Sequence, residues 1–162
     1  SGRSRWSELR RRLLEQRYLA TALPSVSSLE EIEWCLRQVE WTRDGPLHLY
    51  DSISYPQTTW AKKRDDCDGF ASLAAELLHR CDSNYDPVLV TAIVRPAQAS
   101  HTVCVFHAPQ GGLWFFDNSS LQYDNYQTFE DVVKKISEQS ERLVCWDVRN
   151  HFTFQMLEFH VV

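Results

Sequence analysis

The stretch R-D-D-C-D-G-F-A-S-L-A-A-E-L-L, residues 64–78, holds one cysteine among acids at the point where an apolar helical pattern begins. The apolar residues that follow Asp68 recur at helical spacing and predict an amphipathic helix with a broad buried face. Asp65 and Asp68 are three residues apart and match an N-cap and an N3 acceptor, so Cys67 is expected in the first turn. There the unpaired backbone N–H groups and the helix dipole favour a thiolate, the form of cysteine that attacks carbonyl carbon.

The acids around Cys67 oppose thiolate formation, so a reactive thiolate needs a cationic partner, and histidine is the usual one. Two of the six histidines lie on the predicted strand H-T-V-C-V-F-H, residues 101–107. If the P-Q-G that follows forms a three-residue turn with its glycine left-handed, Val103 lies opposite Asp117 on the next strand. His101 is then diagonal to Asp117 on one face, within reach of a hydrogen bond. Nucleophile, base and orienting acid for covalent acyl transfer follow in that order along the chain.

Three motifs together resemble the transglutaminase-like superfamily: D-C-D-G-F-A at a helix start, S-H-T-V at a strand start, and F-F-D-N-S at the end of the next strand. The resemblance covers residues 60–121 and implies Cys67 as nucleophile, His101 as base and Asp117 as orienting acid. It also implies a papain-like α+β fold in which the nucleophile helix packs on an antiparallel sheet. Many members carry a tryptophan two residues after the histidine, where this chain has Val103.

The order of predicted elements along the chain is also that of an α+β fold. Capped helices are predicted after Ser28 and Thr128, because each is followed by an acid at capping-box spacing. Strands are predicted over residues 88–94, 101–107, 113–118, 142–148 and 151–159, with a long connection over residues 42–57. The length of 162 residues suits one domain, so residues 1–162 are predicted to form a single transglutaminase-like domain.

An oxyanion hole requires hydrogen-bond donors beside the nucleophile. The backbone N–H of Cys67 is the first expected donor, because a helix start leaves it without an intrahelical acceptor. Trp60 and Gln57 are the candidates for the second donor, through the indole N–H and the side-chain amide. For Trp60 a packing role explains the residue equally well, and for Gln57 a solvated loop position is the more common one.

A cysteine-nucleophile amide hydrolase, either a peptidase or an amidase, is the function these residues favour, with a thioester acyl-enzyme as intermediate. Its expected partner is a peptide or protein substrate. Two alternatives stay open. One is a protein-glutamine acyltransferase that cross-links proteins, and the other is a non-catalytic peptide-binding module that retains the fold.

Composition narrows the classes of protein further. The five cysteines form no C-x-x-C pair, so no metal or cofactor is predicted. A net charge of −5 argues against a nucleic-acid surface, and no apolar run is long enough for a membrane span. A cytoplasmic location is expected. Because the chain begins Ser1-Gly2 rather than with methionine, a secreted or periplasmic protein whose leader has been removed stays an alternative.

The basic residues are concentrated at the N terminus, where residues 1–17 carry six arginines and two acids. Trp6, Leu9 and Leu13 fall at helical spacing within this segment, which predicts a basic amphipathic helix over residues 1–22. Such a helix would dock either at the periphery of this domain or on an acidic partner.

Overall fold

The computed structural model describes residues 22–42 and 55–162 of the chain. These residues form four α-helices: α1 (Leu29–Arg37), α2 (Pro56–Lys62), α3 (Cys67–Cys81) and α4 (Phe129–Ser137). They also form eight strands: β1 (Glu40–Trp41), β2 (Arg64–Asp65), β3 (Val88–Arg95), β4 (His101–His107), β5 (Leu113–Asp117), β6 (Ser120–Tyr126), β7 (Arg142–Asn150) and β8 (Met156–Val161). The basic helix predicted over residues 1–22 falls outside the described residues, apart from Ala22. None of the four helices has the length and apolar character needed to cross a lipid bilayer.

One six-stranded antiparallel sheet forms the centre of the fold, with the strand order β6-β5-β4-β3-β7-β8. β1 and β2 lie apart from it and pair in parallel over two residues each. Strands β3 to β5 pair with their neighbours in the chain, so the predicted antiparallel meander is confirmed, while β7 pairs with the other side of β3. β4, which carries the predicted base, therefore has a strand on each side.

Helices cover both faces of the sheet, and this explains why β3 is apolar and mostly buried along its length. On one face α1 and α3 pack over Leu89, Phe106 and Phe116. On the other face α4 packs over Val90 and its neighbours. The helix that begins at Cys67 is therefore fixed to the sheet by a continuous apolar layer, and its first turn has a defined position relative to β4.

The last strand begins later than predicted, at Met156 rather than at residue 151. Asn150 causes the difference, because its Oδ1 accepts hydrogen bonds from the N–H groups of Phe152 and Thr153, at 2.8 and 3.0 Å. Side-chain oxygens that bond nearby backbone N–H groups stabilise turns in place of strands. The apolar residues that suggested a strand here are used in the turn between β7 and β8.

Apart from the two-residue strands β1 and β2, two elements were not predicted. β6 reads S-L-Q-Y-D-N-Y and has no regular apolar alternation, because it lies at the edge of the sheet with most of its residues exposed. α2 occupies the end of the predicted connection over residues 42–57, and residues 43–54 of that connection lie outside the described residues. Pro56 begins α2, which suits proline because the first helical N–H has no intrahelical acceptor.

Candidate active site

Cys67 is the first residue of α3, so its predicted place in the first turn is confirmed. The N-cap is Asp66 and not Asp65 as predicted, since Asp66 Oδ1 accepts a hydrogen bond from the N–H of Gly69 at 3.2 Å. Asp65 is buried instead, and its Oδ2 accepts a hydrogen bond from the Thr59 hydroxyl at 2.8 Å. Two consecutive aspartates satisfy the capping pattern almost equally well in sequence, and the contact with Thr59 on α2 decides between them.

Gly69 makes the close packing at this helix start possible. A Cβ atom placed at Gly69 would lie 2.2 Å from Cγ and 2.5 Å from Oδ2 of Asp65, well inside any permitted contact. Asp65 Oδ1 also accepts a hydrogen bond from the N–H of Asp66 at 2.8 Å, so the carboxylate is held against the glycine from two sides. The presence of glycine in D-C-D-G-F-A therefore has a steric reason, which the helical pattern alone does not reveal.

The hairpin of β4 and β5 places the second and third predicted residues as the turn geometry requires. Gly111 has a φ of +97°, and the pairs Cys104 with Phe116 and Val105 with Phe115 match the predicted register. His101 Nε2 lies 2.5 Å from Oδ1 of Asp117. The diagonal contact between imidazole and carboxylate is therefore present, at the end of the hairpin away from the turn.

Cys67 also acts on the His101 side chain, through hydrogen bonding and charge that raise the pKa of the imidazole. Because Nε2 contacts Asp117, Nδ1 is the ring nitrogen left for the sulfur. Strand alternation assigns His101 to the same face as Val103, which packs on the α4 side, whereas α3 covers the opposite face. The contact forms nevertheless because Cys67 begins α3 and His101 begins β4, so the two side chains meet where both elements start.

The surroundings of His101 favour its protonated form. Burial of the ring lowers its pKa, but hydrogen bonds to Asp117 and Cys67, together with their negative charge, outweigh burial and raise the pKa to about 10. The imidazole side chain is only 22% exposed, so little solvent screens these interactions. At neutral pH the stable form of His101 is thus an imidazolium between a sulfur and a carboxylate.

Asp68 has a different role from the cap acceptor that was predicted. It is buried, and burial raises its pKa even though a hydrogen bond with Thr102 acts in the opposite direction. The Thr102 hydroxyl lies 2.7 Å from the hydroxyl of Thr91 on the next strand. These polar side chains connect the residue after Cys67 with the residue after His101. In the sequence, the threonines within two otherwise apolar strands were the feature that could have indicated this connection.

The two candidates for the second oxyanion donor both lie on α2. Trp60 packs against the apolar layer between the helices and the sheet, and the Lys63 ammonium lies over its ring. Gln57 is half-buried near the start of the helix rather than in a loop. Within residues 22–42 and 55–162 no hydrogen bond joins either side chain to Cys67. The sequence-based alternative of a packing role for Trp60 is therefore the one its contacts support.

The remaining cysteines differ from Cys67 in their surroundings. All five are free thiols, and Cys35 and Cys104 are buried in the apolar layer, where burial raises the pKa of both. In the part of the chain that the structure describes, no group of three or more histidine, cysteine or acidic side chains is arranged to hold a metal ion.

Comparison with solved structures identifies the fold. Two structures of LapG from Legionella pneumophila, one of them EGTA-treated, superpose with a TM-score of 0.50 each at 15% and 16% sequence identity. The matches cover 83% and 82% of this chain, and 70% and 69% of LapG. No protein-family model matches the sequence, and no curated protein does. The papain-like α+β fold predicted from the sequence is therefore confirmed, as a distant, fold-level relationship to LapG.

Proposed function

We propose that this protein is a cysteine-nucleophile amide hydrolase, a peptidase or amidase, which acts on peptides or proteins through a thioester acyl-enzyme. The observation that carries the proposal is the His101–Asp117 pair at the start of β4, together with the interaction of Cys67, at the start of α3, with the same ring. A cysteine, a base hydrogen bonded to it and a third group that orients the base are the parts that covalent acyl transfer requires. The cysteine-protease-like fold is consistent with this activity.

In the proposed reaction the Cys67 sulfur attacks the amide carbonyl carbon, and the carbonyl oxygen takes the negative charge. The imidazolium of His101 then donates its proton to the departing amine as the C–N bond breaks, which leaves a thioester on Cys67. Neutral His101 next takes a proton from water, whose oxygen attacks the thioester. Release of the carboxylic acid restores the sulfur and the imidazolium, while Asp117 holds the ring in place throughout.

The acidic residues around Cys67 oppose thiolate formation less than their number in the sequence suggests. Asp65 accepts hydrogen bonds from Thr59 and from a backbone N–H, and Asp66 caps the helix. Burial raises the pKa of Asp68, which disfavours its charged form. With those carboxylates engaged in this way, the cationic His101 is the charge in hydrogen-bond contact with the sulfur, and this supports an enzyme rather than a non-catalytic module.

The oxyanion hole belongs to the same proposal. The N–H of Cys67 is its first donor, because the first residue of a helix has no intrahelical acceptor for that group. The packing of Trp60 against the apolar layer and under Lys63 favours Gln57 as the second donor. Gln57→Ala should therefore lower turnover with little effect on alkylation of the thiol, since alkylation forms no oxyanion.

Labelling with an iodoacetamide-type electrophile at neutral pH, with peptide mapping of the label, tests the nucleophile. We expect selective modification of Cys67, loss of the label in Cys67→Ala, and much slower labelling in His101→Ala. Cys81→Ala is the matched control, because Cys81 is a partly exposed thiol on the same helix, at its other end. Equal labelling rates for the wild type and His101→Ala, or a fast label elsewhere in Cys67→Ala, would contradict the assignment.

A second measurement separates catalysis from binding. A library of fluorogenic peptide amides should yield cleaved products with the wild type and none with Cys67→Ala, and the thioester should be trapped by hydroxylamine. Binding of peptides without cleavage, by a protein whose Cys67 labels no faster than Cys81, would instead indicate the peptide-binding module.

A further inference from the structure

The last strand, β8, is exposed along its whole length. It ends the six-stranded sheet, and within the described residues no strand pairs with its outer edge. Natural edge strands are commonly protected from further pairing by lysine, proline, bulges or short length. β8 is six residues long and contains neither lysine nor proline, and its one irregularity is a shift of register against β7 at Leu157. Among residues 22–42 and 55–162, its outer row of backbone N–H and C=O groups is therefore left for another strand.

The side chains of β8 alternate between two chemical types. Phe159 and Val161 point to one face and are 54 and 75% exposed, and Leu157, at the register shift, is 53% exposed. Glu158 and His160 point to the other face, where His160 lies 3.1 Å from Glu158. An exposed apolar row on one face and an acid–imidazole pair on the other is an unusual surface for a solvated edge.

We propose that β8 pairs antiparallel with β8 of a second copy of this chain, about a two-fold axis at Phe159. In this register Phe159 meets its own equivalent, Leu157 lies opposite Val161 of the partner subunit, and Glu158 lies opposite His160 of the partner subunit. Every apolar side chain then faces an apolar one across the strands, and every acid faces an imidazole. The interface is isologous, and it extends the sheet across both subunits.

The polar side chains favour this register over those with the two-fold axis at Glu158 or at His160. An axis at Glu158 would set two carboxylates directly opposite each other, and an axis at His160 would set two imidazoles opposite each other. Like charges opposite each other on antiparallel strands are destabilising, whereas opposite charges and aromatic pairs stabilise. The axis at Phe159 avoids the facing carboxylates and brings two exposed aromatic rings together. The sequence of β8 is thus complementary to itself in one register.

Sedimentation velocity of the full chain over a dilution series tests the proposal. We expect a reversible dimer in the wild type and a monomer in Phe159→Lys, because two ammonium groups would meet across the axis. Phe152→Lys is the matched control: Phe152 is a 75% exposed aromatic residue in the preceding turn, outside the strand. At a dilution where the wild type is monomeric, both variants should keep its thermal transition, since neither side chain is buried within the subunit.

Charge exchange provides a second, independent readout. Glu158→Lys should weaken the dimer about tenfold, because the two carboxylate–imidazole hydrogen bonds across the strands are lost. Adding His160→Glu to that variant should restore dimerisation, since an ammonium group then faces a carboxylate in both pairs. A wild type that stays monomeric across the series overturns the proposal, including the case in which the β8 amides are protected from hydrogen exchange by a segment of the same chain. Equal behaviour of Phe159→Lys and Phe152→Lys, or no recovery in the double variant, does so as well.

Discussion

Gly69→Ala provides the sharpest test of how the candidate active site is built. In an exposed helix this change stabilises by about 1 kcal/mol, because alanine has the higher helix propensity. Here the new methyl group would lie 2.2 Å from Cγ of Asp65. The carboxylate can withdraw only by giving up its hydrogen bonds from the Thr59 hydroxyl and the Asp66 N–H. We therefore expect a net loss of stability despite the gain in propensity.

The expected magnitude follows from those two hydrogen bonds. Hydrogen bonds to charged groups contribute about 1.5–3 kcal/mol each, so losing both costs about 3–6 kcal/mol. Subtracting the propensity gain leaves a destabilisation of about 2–5 kcal/mol. Because Cys67 shares the first turn with Gly69, the labelling rate of Cys67 should fall in the same variant. Urea unfolding followed by tryptophan fluorescence gives the first quantity, and the alkylation rate gives the second.

A double-mutant cycle with Asp65→Ala separates the clash from other effects. Once the carboxylate is gone, Gly69→Ala should become neutral or should stabilise by up to about 1 kcal/mol. Gly111→Ala is a useful comparison, because Gly111 has a φ of +97° and open space around it. That variant should lose stability through backbone strain without slowing the alkylation of Cys67. If Gly69→Ala alone stabilises the protein, the proposed contact does not constrain the helix start.

Two further predictions concern the charges of the site. The pKa of His101, followed by NMR of its ring protons, should lie near 10 and should fall towards the ordinary 6.5 in Asp117→Asn, because the raising charge is removed. The proton for the leaving amine is lost as pH rises through this pKa, so turnover in Asp117→Asn should decline at lower pH than in the wild type. Asp68→Ala should cost about 1–3 kcal/mol and slow alkylation, whereas Asp68→Asn, which keeps a partner for Thr102, should do neither. Unchanged alkylation in Asp68→Ala would show that the polar chain does not position Cys67.

The hairpin that carries His101 and Asp117 could be predicted from the sequence because its geometry is local. A three-residue turn fixes which residues face each other, and the strand period of two then fixes which side chains share a face. Gly111 adopts the positive φ that this turn needs. Each of these steps involves residues less than twenty positions apart, so no knowledge of the tertiary packing was required.

The start of α3 could be predicted only in part, because its details depend on residues distant in space. The choice between Asp65 and Asp66 as N-cap depends on Thr59, which belongs to a helix that the sequence did not indicate. The hidden role of Asp68 depends on Thr102 of β4. Capping rules describe a helix in solvent, whereas this helix begins inside the protein, so tertiary partners override them.

The meeting of Cys67 and His101 depends on the packing of α3 against the sheet, and no local rule contains it. Strand alternation alone assigns His101 to the face opposite α3, which would have argued against the pair. The apolar layer with Phe106 and Phe116 sets where α3 lies on the sheet, and the chain of Asp68 and Thr102 fixes its first turn beside the start of β4. The resemblance of three short motifs to the transglutaminase-like superfamily predicted this contact, because the motifs of a family reflect how its members pack. The physical reason for it becomes visible only when both elements are seen to begin at the same end of the sheet.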